Sequence, residues 1–342
     1  MTVAERDRAL AAFRGLAIGD ALGMPTQSMS ADEIAADYGR ITGFVDAGPH
    51  QRIAAGMPAA SVTDDTEQAV LLAELLIDGD GRVDADTFAR ALLAWENRMR
   101  ARGSLDLLGP STKAALDRLT RGVPAAEAGR FGTTNGAAMR ITPLGIAIGA
   151  DDLDAFVDAV ARTSAATHNT GLGIAGASAV GAAVSAGVAG ADTDEAVRLG
   201  IAAAALGARH GHWVAGADIA ARLRWSIPML TALAQDRRAE ALVQLVGTSV
   251  ASQESVVAAL TIAAVADDAW EALCLAASLG GDTDTIAAMA GAVLGATRGA
   301  AAWPEAAVAT VERVNDLALP ALVDGLLRIR SRGGDAQGAS DD

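Results

Sequence analysis

Two short clusters concentrate the hard oxygen donors of this chain. Thr63, Asp64, Asp65 and Thr66 form the first; Asp282, Thr283, Asp284 and Thr285, introduced by Gly280 and Gly281, form the second. Neither contains a Lys or Arg to neutralise it, which is costly for packed carboxylates unless a cation is supplied. Asp64 with Asp65, and Asp282 with Asp284, are too close in sequence to share one face of a regular helix, but they can converge where a loop enters a helix. Each cluster also precedes an apolar periodic segment. Helix capping by Thr63 or Thr283, with Asp favoured in the first turn by the helix dipole, is therefore enough to explain either cluster alone. The recurrence of the same Thr/Asp/Asp chemistry shifts the balance to one shared site. Four carboxylates with hydroxyls suit a pair of Mg²⁺ or Mn²⁺ ions, and they suit Zn²⁺ poorly because no Cys or His lies beside them.

Two polar loops offer further chemistry. Gly132, Thr133, Thr134, Asn135 and Gly136 lead into Met139 and Arg140, and Thr167, His168, Asn169 and Thr170 lead into a helix of small residues. A polar loop at a helix start can meet an anion or simply turn the chain. His210 and His212 have no acidic or Cys partner close in sequence and read as surface or loop residues; Trp213, Trp225 and Trp270 read as core. The run from Gly171 through Gly173 to Gly176 matches a dinucleotide fingerprint, with Asp192 near the place of the later acid. That fingerprint needs a preceding strand, whereas the residues before it form an amphipathic helix around Phe156, Val157 and Val160, so close helix packing is the better reading. Walker, HExxH, CxxC and nucleophile-elbow patterns are absent, which removes the commonest nucleoside triphosphatase, zinc protease and serine hydrolase readings.

The elements that must position these groups are helices. Apolar residues recur at three and four along Leu10, Phe13, Leu16, Ala17 and Ala21, which predicts a helix over 4–22; Ser30 caps a second over 31–38. Residues 39–62 carry Gly and Pro with no sustained period, a long loop of the kind that often serves as a lid. Helical patterns then follow over 67–77, 84–101, 112–121, 139–148, 153–163, 171–187, 194–208, 217–233, 239–246, 254–265, 269–278, 285–297, 304–317 and 319–331. Almost nothing alternates with period two. The expectation is one all-α domain over residues 1–331, a single compact many-helix orthogonal bundle, followed by a disordered tail over 332–342.

Composition narrows the partners. Half the chain is apolar with only 3% aromatic residues, a mix suited to helices packed through small side chains. A net charge of −15 argues against nucleic acid or an anionic membrane as the main partner. The one cysteine, Cys274, lies in an apolar stretch with nothing to pair with, which fits a core position and a reducing, cytoplasmic setting. The first residues lack the apolar core of a signal peptide. Residues 171–190 are uncharged and long enough to span a bilayer, but Gly, Ala and Ser dominate them and a buried helix is expected.

Taken in order, these motifs resemble the ADP-ribosylglycohydrolase family. The resemblance is carried by Gly19, Asp20, Ala21, Leu22, Gly23, Met24 and Pro25; by Thr63, Asp64, Asp65 and Thr66; by Thr134, Asn135, Gly136, Ala137, Ala138, Met139 and Arg140; by Thr167 and His168; and by the run from Gly280 to Thr285. It implies an all-α fold with a central cleft holding two Mg²⁺ or Mn²⁺ ions on Thr63, Asp64, Asp65, Asp282, Asp284 and Thr285. It implies hydrolysis of an ADP-ribosyl or related ribosyl glycosidic bond, with Asp65 and Asp64 as the catalytic carboxylates. Gln27, Thr134, Asn135, Gly136, Ala137, Met139 and His168 would then hold the substrate. Metal ions lower the pKa of an attacking water and clamp ribose hydroxyls while a carboxylate takes the proton, so the residue chemistry agrees.

Two positions depart from the family pattern. Gln27 stands where a glutamate is usual after the opening motif, and Asn169 replaces an acidic residue after the His. An amide oxygen can coordinate but cannot carry charge or act as a base. The opening stretch and residues 213–217 look closer to bacterial members other than the protein-deADP-ribosylating ones. The expected partner is therefore an ADP-ribosyl or ribosyl small molecule, with ADP-ribosylated protein as a further candidate. The alternatives are a hydrolase of a small ribosyl metabolite that ignores modified protein, and a catalytically silent ADP-ribose-binding module.

Overall fold

A chain rich in Ala, Leu and Val with few aromatic residues packs best as closely spaced helices, and that is what the structure, a computed structural model, contains. It describes residues 2–101 and 108–338. The first part of the chain forms α1 (Val3–Gly23), α2 (Ala31–Tyr38), α3 (Asp64–Asp78), α4 (Ala85–Ala101), α5 (Pro110–Thr120), α6 (Ala125–Ala128), α7 (Gly136–Met139), α8 (Thr142–Ala147) and α9 (Leu153–His168). The second part forms α10 (Gly171–Ala189), α11 (Thr193–Gly207), α12 (Ile219–Thr231), α13 (Gln235–Ala241), α14 (Ser252–Val265), α15 (Ala269–Ala276), α16 (Thr283–Arg298), α17 (Glu305–Val314) and α18 (Leu319–Gly338). Among the described residues there is no strand, only the bridges Thr134–Ala251 and Thr170–His212. The fold is all-α.

The most extensive helix pair joins α1 to α16, which are more than 250 residues apart in sequence. Its seam is made of glycines: a Cβ on Gly19 would lie 2.1 Å from the Ala287 carbonyl oxygen, and one on Gly291 would lie 2.1 Å from that of Gly15. The two backbones therefore touch directly, and Phe13, Leu16 and Ile18 of α1 and Ile286, Met289 and Val293 of α16 are all buried in the one large apolar core. This seam matters for the site because α1 carries Asp20 and α16 carries Asp284. Helix α10 packs on α16 and α11; its long apolar window is 89% buried, so the stretch with the length of a membrane span is an interior helix. Cys274 is buried in α15.

Several boundaries differ from the sequence expectation, each for a local reason. The predicted helix over 139–148 is split into α7 and α8, because Pro143 opens a new helix and cannot continue the old one. Helix α9 runs through to His168, so that residue ends a helix instead of sitting in a loop. The segment expected to be helical over 239–246 is an α-helix to Ala241 and then a π-helical turn, Leu242–Val246. Helix α18 continues beyond residue 331 to Gly338, with Arg332 Nη1 2.9 Å from Asp80 Oδ1; extending an existing helix costs far less than starting one. The part of the expected disordered tail over 339–342 lies outside the described residues. Trp213 and Trp225 are not core: they are 86% and 45% exposed, and Trp270 is half-buried edge-on to Phe44.

Candidate metal centre

The first acidic cluster is the start of α3. Thr63 is its cap, with extended backbone and a hydroxyl that accepts from the Asp65 N–H at 3.4 Å, so the capping explanation is correct as far as it goes. Capping does not explain what lies behind it. Asp20, on α1, accepts from Thr63 N at 3.0 Å, Thr63 Oγ1 at 2.8 Å, Thr66 N at 3.1 Å and Thr66 Oγ1 at 2.5 Å. One buried carboxylate thus clamps the whole first turn of α3 onto α1.

The second cluster is not a side-chain cap. Asp282 occupies the cap position of α16, yet its carboxylate makes no capping bond and instead accepts from Asn135 Nδ2, while Asn135 also donates to Ser255 Oγ at 2.9 Å. The preceding Gly280 and Gly281 have φ of 83° and 81°, a left-handed pair that only glycine adopts readily. This turn brings Gly281 against the chain after Gln27: Ser28 N donates to the Gly281 carbonyl at 2.7 Å and Gly281 N donates to that of Met29 at 2.9 Å. The loop over 39–62 joins here through Gln51, whose Nε2 donates to the Gln27 carbonyl at 2.9 Å.

Between the clusters lies a cavity of about 240 Å³. Of the residues singled out in the sequence, Gln27, Asp64, Asp65, Thr134, Asn135, Gly136, Met139, Asp282 and Thr285 line it. Thr63, Asp284 and Ala137 are buried and do not line it, and His168 is fully buried behind Thr134, with Nε2 2.9 Å from the Thr134 hydroxyl. Ile53 of the long loop and Leu108, Pro110 and Lys113 at the start of α5 complete much of the rim. No aromatic ring lines the cavity among the described residues.

The electrostatics are those of carboxylates buried together. Asp20, Asp64, Asp65, Asp282 and Asp284 are each no more than 5% exposed, and ligand oxygens of Asp20, Asp65 and Asp284 lie within 4.8 Å of one another. Burial pushes Asp20 and Asp282 up to about 6. Asp64, Asp65 and Asp284 are raised well above the usual carboxylate range, by burial first and then by each other's charge and that of Asp20 and Asp282. Asp65 Oδ1 and both Asp284 oxygens are buried with no hydrogen-bond partner, as is Gln27 Oε1. Helix capping leaves no reason for such orphaned acceptors, and a cation held among the carboxylates of Asp20, Asp65 and Asp284 would satisfy those of Asp65 and Asp284. The donor set is all oxygen, so it fits Mg²⁺ or Mn²⁺.

A pH dependence follows. These acids have folded-state pKa values above the unfolded value of 3.8, so the native state holds their protons more tightly than the unfolded chain does. Their contribution is full below that unfolded value and is lost as pH rises through about 6. In EDTA the melting temperature should fall from about pH 5 to about pH 8, and added Mn²⁺ should restore it at the upper end. A profile in EDTA that stays flat over that range would show that the carboxylates are not buried together.

Sequence reasoning left three contributors without a role. Asp20 had one signal, a charge inside the apolar run from Leu16 to Leu22, but its partners lie 43 and 46 residues away. Gln68 is one helical turn after Asp64 and donates to its Oδ2 at 2.9 Å, while its own Oε1 accepts from Arg140 Nη1 at 2.9 Å. Arg140 is 1% exposed and stacks over Phe88 with its guanidinium carbon 4.5 Å from the ring centroid. Gln68→Leu removes the bridge between them. Divalent affinity is expected to fall about 10–100-fold, as for other residues that orient a metal ligand. Stability should fall by about 1–3 kcal/mol through the unpaired Arg140 N–H. Calorimetric titration and denaturant unfolding measure the two effects separately.

A family model described as ADP-ribosylglycohydrolase matches residues 1–335. The chain is 35% identical over 329 residues to the uncharacterized protein YegU of Escherichia coli (strain K12), covering 95% of this chain and 98% of that protein. It is 28% identical over 304 residues to the ADP-ribosylarginine hydrolase Tri1 of Pseudomonas putida (strain GB-1), covering 87% and 72% respectively. Among solved structures, a chain of an ADP-ribosylglycohydrolase-related protein complex superposes with a TM-score of 0.71 and 26% identity, over 96% of this chain and 99% of that one.

Proposed function

Because the chain belongs to the ADP-ribosylglycohydrolase family, whose members hydrolyse glycosidic bonds, we propose that it cleaves an ADP-ribosyl or related ribosyl N- or O-glycosidic bond in the cavity between α3 and α16. The observation that carries this reading is the set of orphaned oxygens on Asp65 and Asp284 beside that cavity. Thr63, Asp64, Asp65, Asp282, Asp284 and Thr285 would hold two Mg²⁺ or Mn²⁺ ions. When bound, these ions would supply Lewis-acid charge that makes water a nucleophile near neutral pH and steadies the ribose oxygens.

The chain's own groups divide the remaining work. Asp65, with Oδ1 unpartnered, takes the proton of the attacking water as its oxygen bonds to the anomeric carbon; the bond from that carbon to the acceptor breaks, and its electron pair leaves with the acceptor. Asp64, held by Gln68, keeps a fixed carboxylate orientation beside it. The loop of Thr134, Asn135 and Gly136, zipped to residues 250–252 by Asn135 N to the Val250 carbonyl at 3.0 Å and Ser252 N to the Thr133 carbonyl at 3.0 Å, forms a fixed wall for the sugar. Gln27 Oε1 offers a neutral oxygen where the family pattern carries a charged one.

The cavity volume favours one second reading. About 240 Å³ without an aromatic platform among the described residues suits a ribosyl group and a compact aglycone better than a whole adenosine diphosphate moiety. Assaying ADP-ribosylated arginine, ADP-ribosylated serine and small ribosides side by side, with and without Mg²⁺ or Mn²⁺, separates the readings. Metal-dependent turnover of an ADP-ribosyl substrate supports the first, and turnover confined to the ribosides supports the second. Gln27→Glu adds a charged donor and should tighten divalent binding. ADP-ribose binding without turnover of any substrate, unchanged in Gln27→Glu, would leave a silent binding module.

A further inference from the structure

Arg140 is the largest side chain buried to within 2% exposure, and no hydrogen bond or ion pair joins it to a carboxylate among the described residues. A guanidinium only donates, so each hydrogen bond it makes has a fixed direction. Nη2 donates to Thr167 Oγ1 at 2.6 Å. The hydroxyl hydrogen of Thr167 then has one acceptor among the described residues, Nδ1 of His168 at 2.7 Å. A neutral imidazole that accepts at Nδ1 carries its proton on Nε2, and Nε2 faces Thr134 Oγ1 at 2.9 Å. Thr134 therefore accepts from His168, and its own hydrogen is left to point into the cavity that it lines. The second arm has the same logic: Arg140 Nη1 donates to Gln68 Oε1, which sets the amide so that Nε2 donates to Asp64 Oδ2.

We propose that Arg140 is a positioning residue that fixes the hydrogen-bond direction along both arms, so that Thr134 meets the substrate as a donor while Asp64 is held as an acceptor. His168 is then an internal relay of neutral charge, not a group that touches substrate. Its fully buried ring, facing the Arg140 cation across Thr167, is held neutral in keeping with this, since burial and that cation both lower its pKa. The consequence for specificity is that the substrate atom beside Thr134 must be a hydrogen-bond acceptor. The inference rests on the reading of the cavity as the substrate site, but its test reads proton positions in the protein alone and so can fail independently of that reading.

The test is ¹⁵N-histidine NMR, with His168 assigned after replacing the partly or largely exposed His50, His210 and His212 by Asn. The expected wild-type pattern is a single neutral Nε2–H tautomer that does not titrate from about pH 5.5 to about pH 8. Arg140→Met should release the direction and allow the Nδ1–H tautomer to appear, whereas Arg140→Lys keeps a donor and should keep the wild-type tautomer. A wild-type His168 protonated on Nδ1, or doubly protonated, overturns the proposal, as does an Arg140→Met spectrum identical to wild type. The wild-type spectrum decides the direction even where Arg140→Met does not fold.

Discussion

Asp284→Asn is expected to remove divalent binding and turnover together while making the metal-free protein more stable. Asp284 is 0% exposed, neither of its oxygens has a partner, and its nearest charged neighbours are other carboxylates. Without a cation its charge is a liability at neutral pH, and the isosteric amide relieves it. The melting temperature in EDTA should rise by about a few degrees. With Mn²⁺ present the order should invert, because the wild type gains binding energy that the variant cannot. Activity should fall by more than the roughly 100-fold that loss of a merely supporting residue costs. Metal content, melting curves in the two conditions and turnover check the three parts. A variant that loses turnover yet still binds metal would separate Asp284 from the cation site.

The second large effect is structural. Gly19→Val should prevent folding or cost more than about 4 kcal/mol, well outside the range of ordinary single substitutions. Its Cβ would sit 2.1 Å from the Ala287 carbonyl oxygen and 2.3 Å from the carbonyl carbon, both backbone atoms of α16 that no rotamer change can move. Gly19→Ala, which adds the Cβ alone, is expected to fold less stably and to bind divalent cations more weakly, since any parting of α1 from α16 separates Asp20 from Asp284. Gly43→Ala is the control: nothing lies within 4 Å of the added atom, and the change should stay within about 0.5 kcal/mol. Equilibrium unfolding of the three variants gives the comparison. Equal effects at Gly19 and Gly43 would mean that the backbone contact of α1 and α16 is not what holds these helices in place.

What could be read from the chain before the structure depended on the distance over which each argument runs. The oxygen clusters were legible because a ligand set and a helix start are both local patterns. Their mutual approach rested on shared chemistry and on family resemblance, since no spacing rule connects residue 65 to residue 284. Asp20 was visible as a charge in an apolar run and as one residue of the opening motif, without a role; its grip on Thr63 and Thr66 depends on how α1 lies across α3. Gln68 and Arg140 belong to helices that meet only in the folded chain, so the bridge to Asp64 left no sequence signal beyond the one-turn spacing of Asp64 and Gln68. The polar run of Thr167, Asn169 and Thr170 makes His168 read as a loop residue. In the fold Thr167 and Thr170 are buried and bonded, and the helix runs to its end before the chain turns. Trp213 shows the opposite error, a large apolar residue on an exposed loop, which composition alone cannot distinguish from core.

The claim on which the rest depends is that the two Thr/Asp clusters form one divalent cation site. Titrating Mn²⁺ or Mg²⁺ into the metal-stripped wild-type protein by calorimetry, with a melting curve at each end point, addresses it directly. The expected result is saturable binding heat accompanied by a rise in melting temperature. Absence of both would contradict the account and leave the clusters as two helix starts buried side by side.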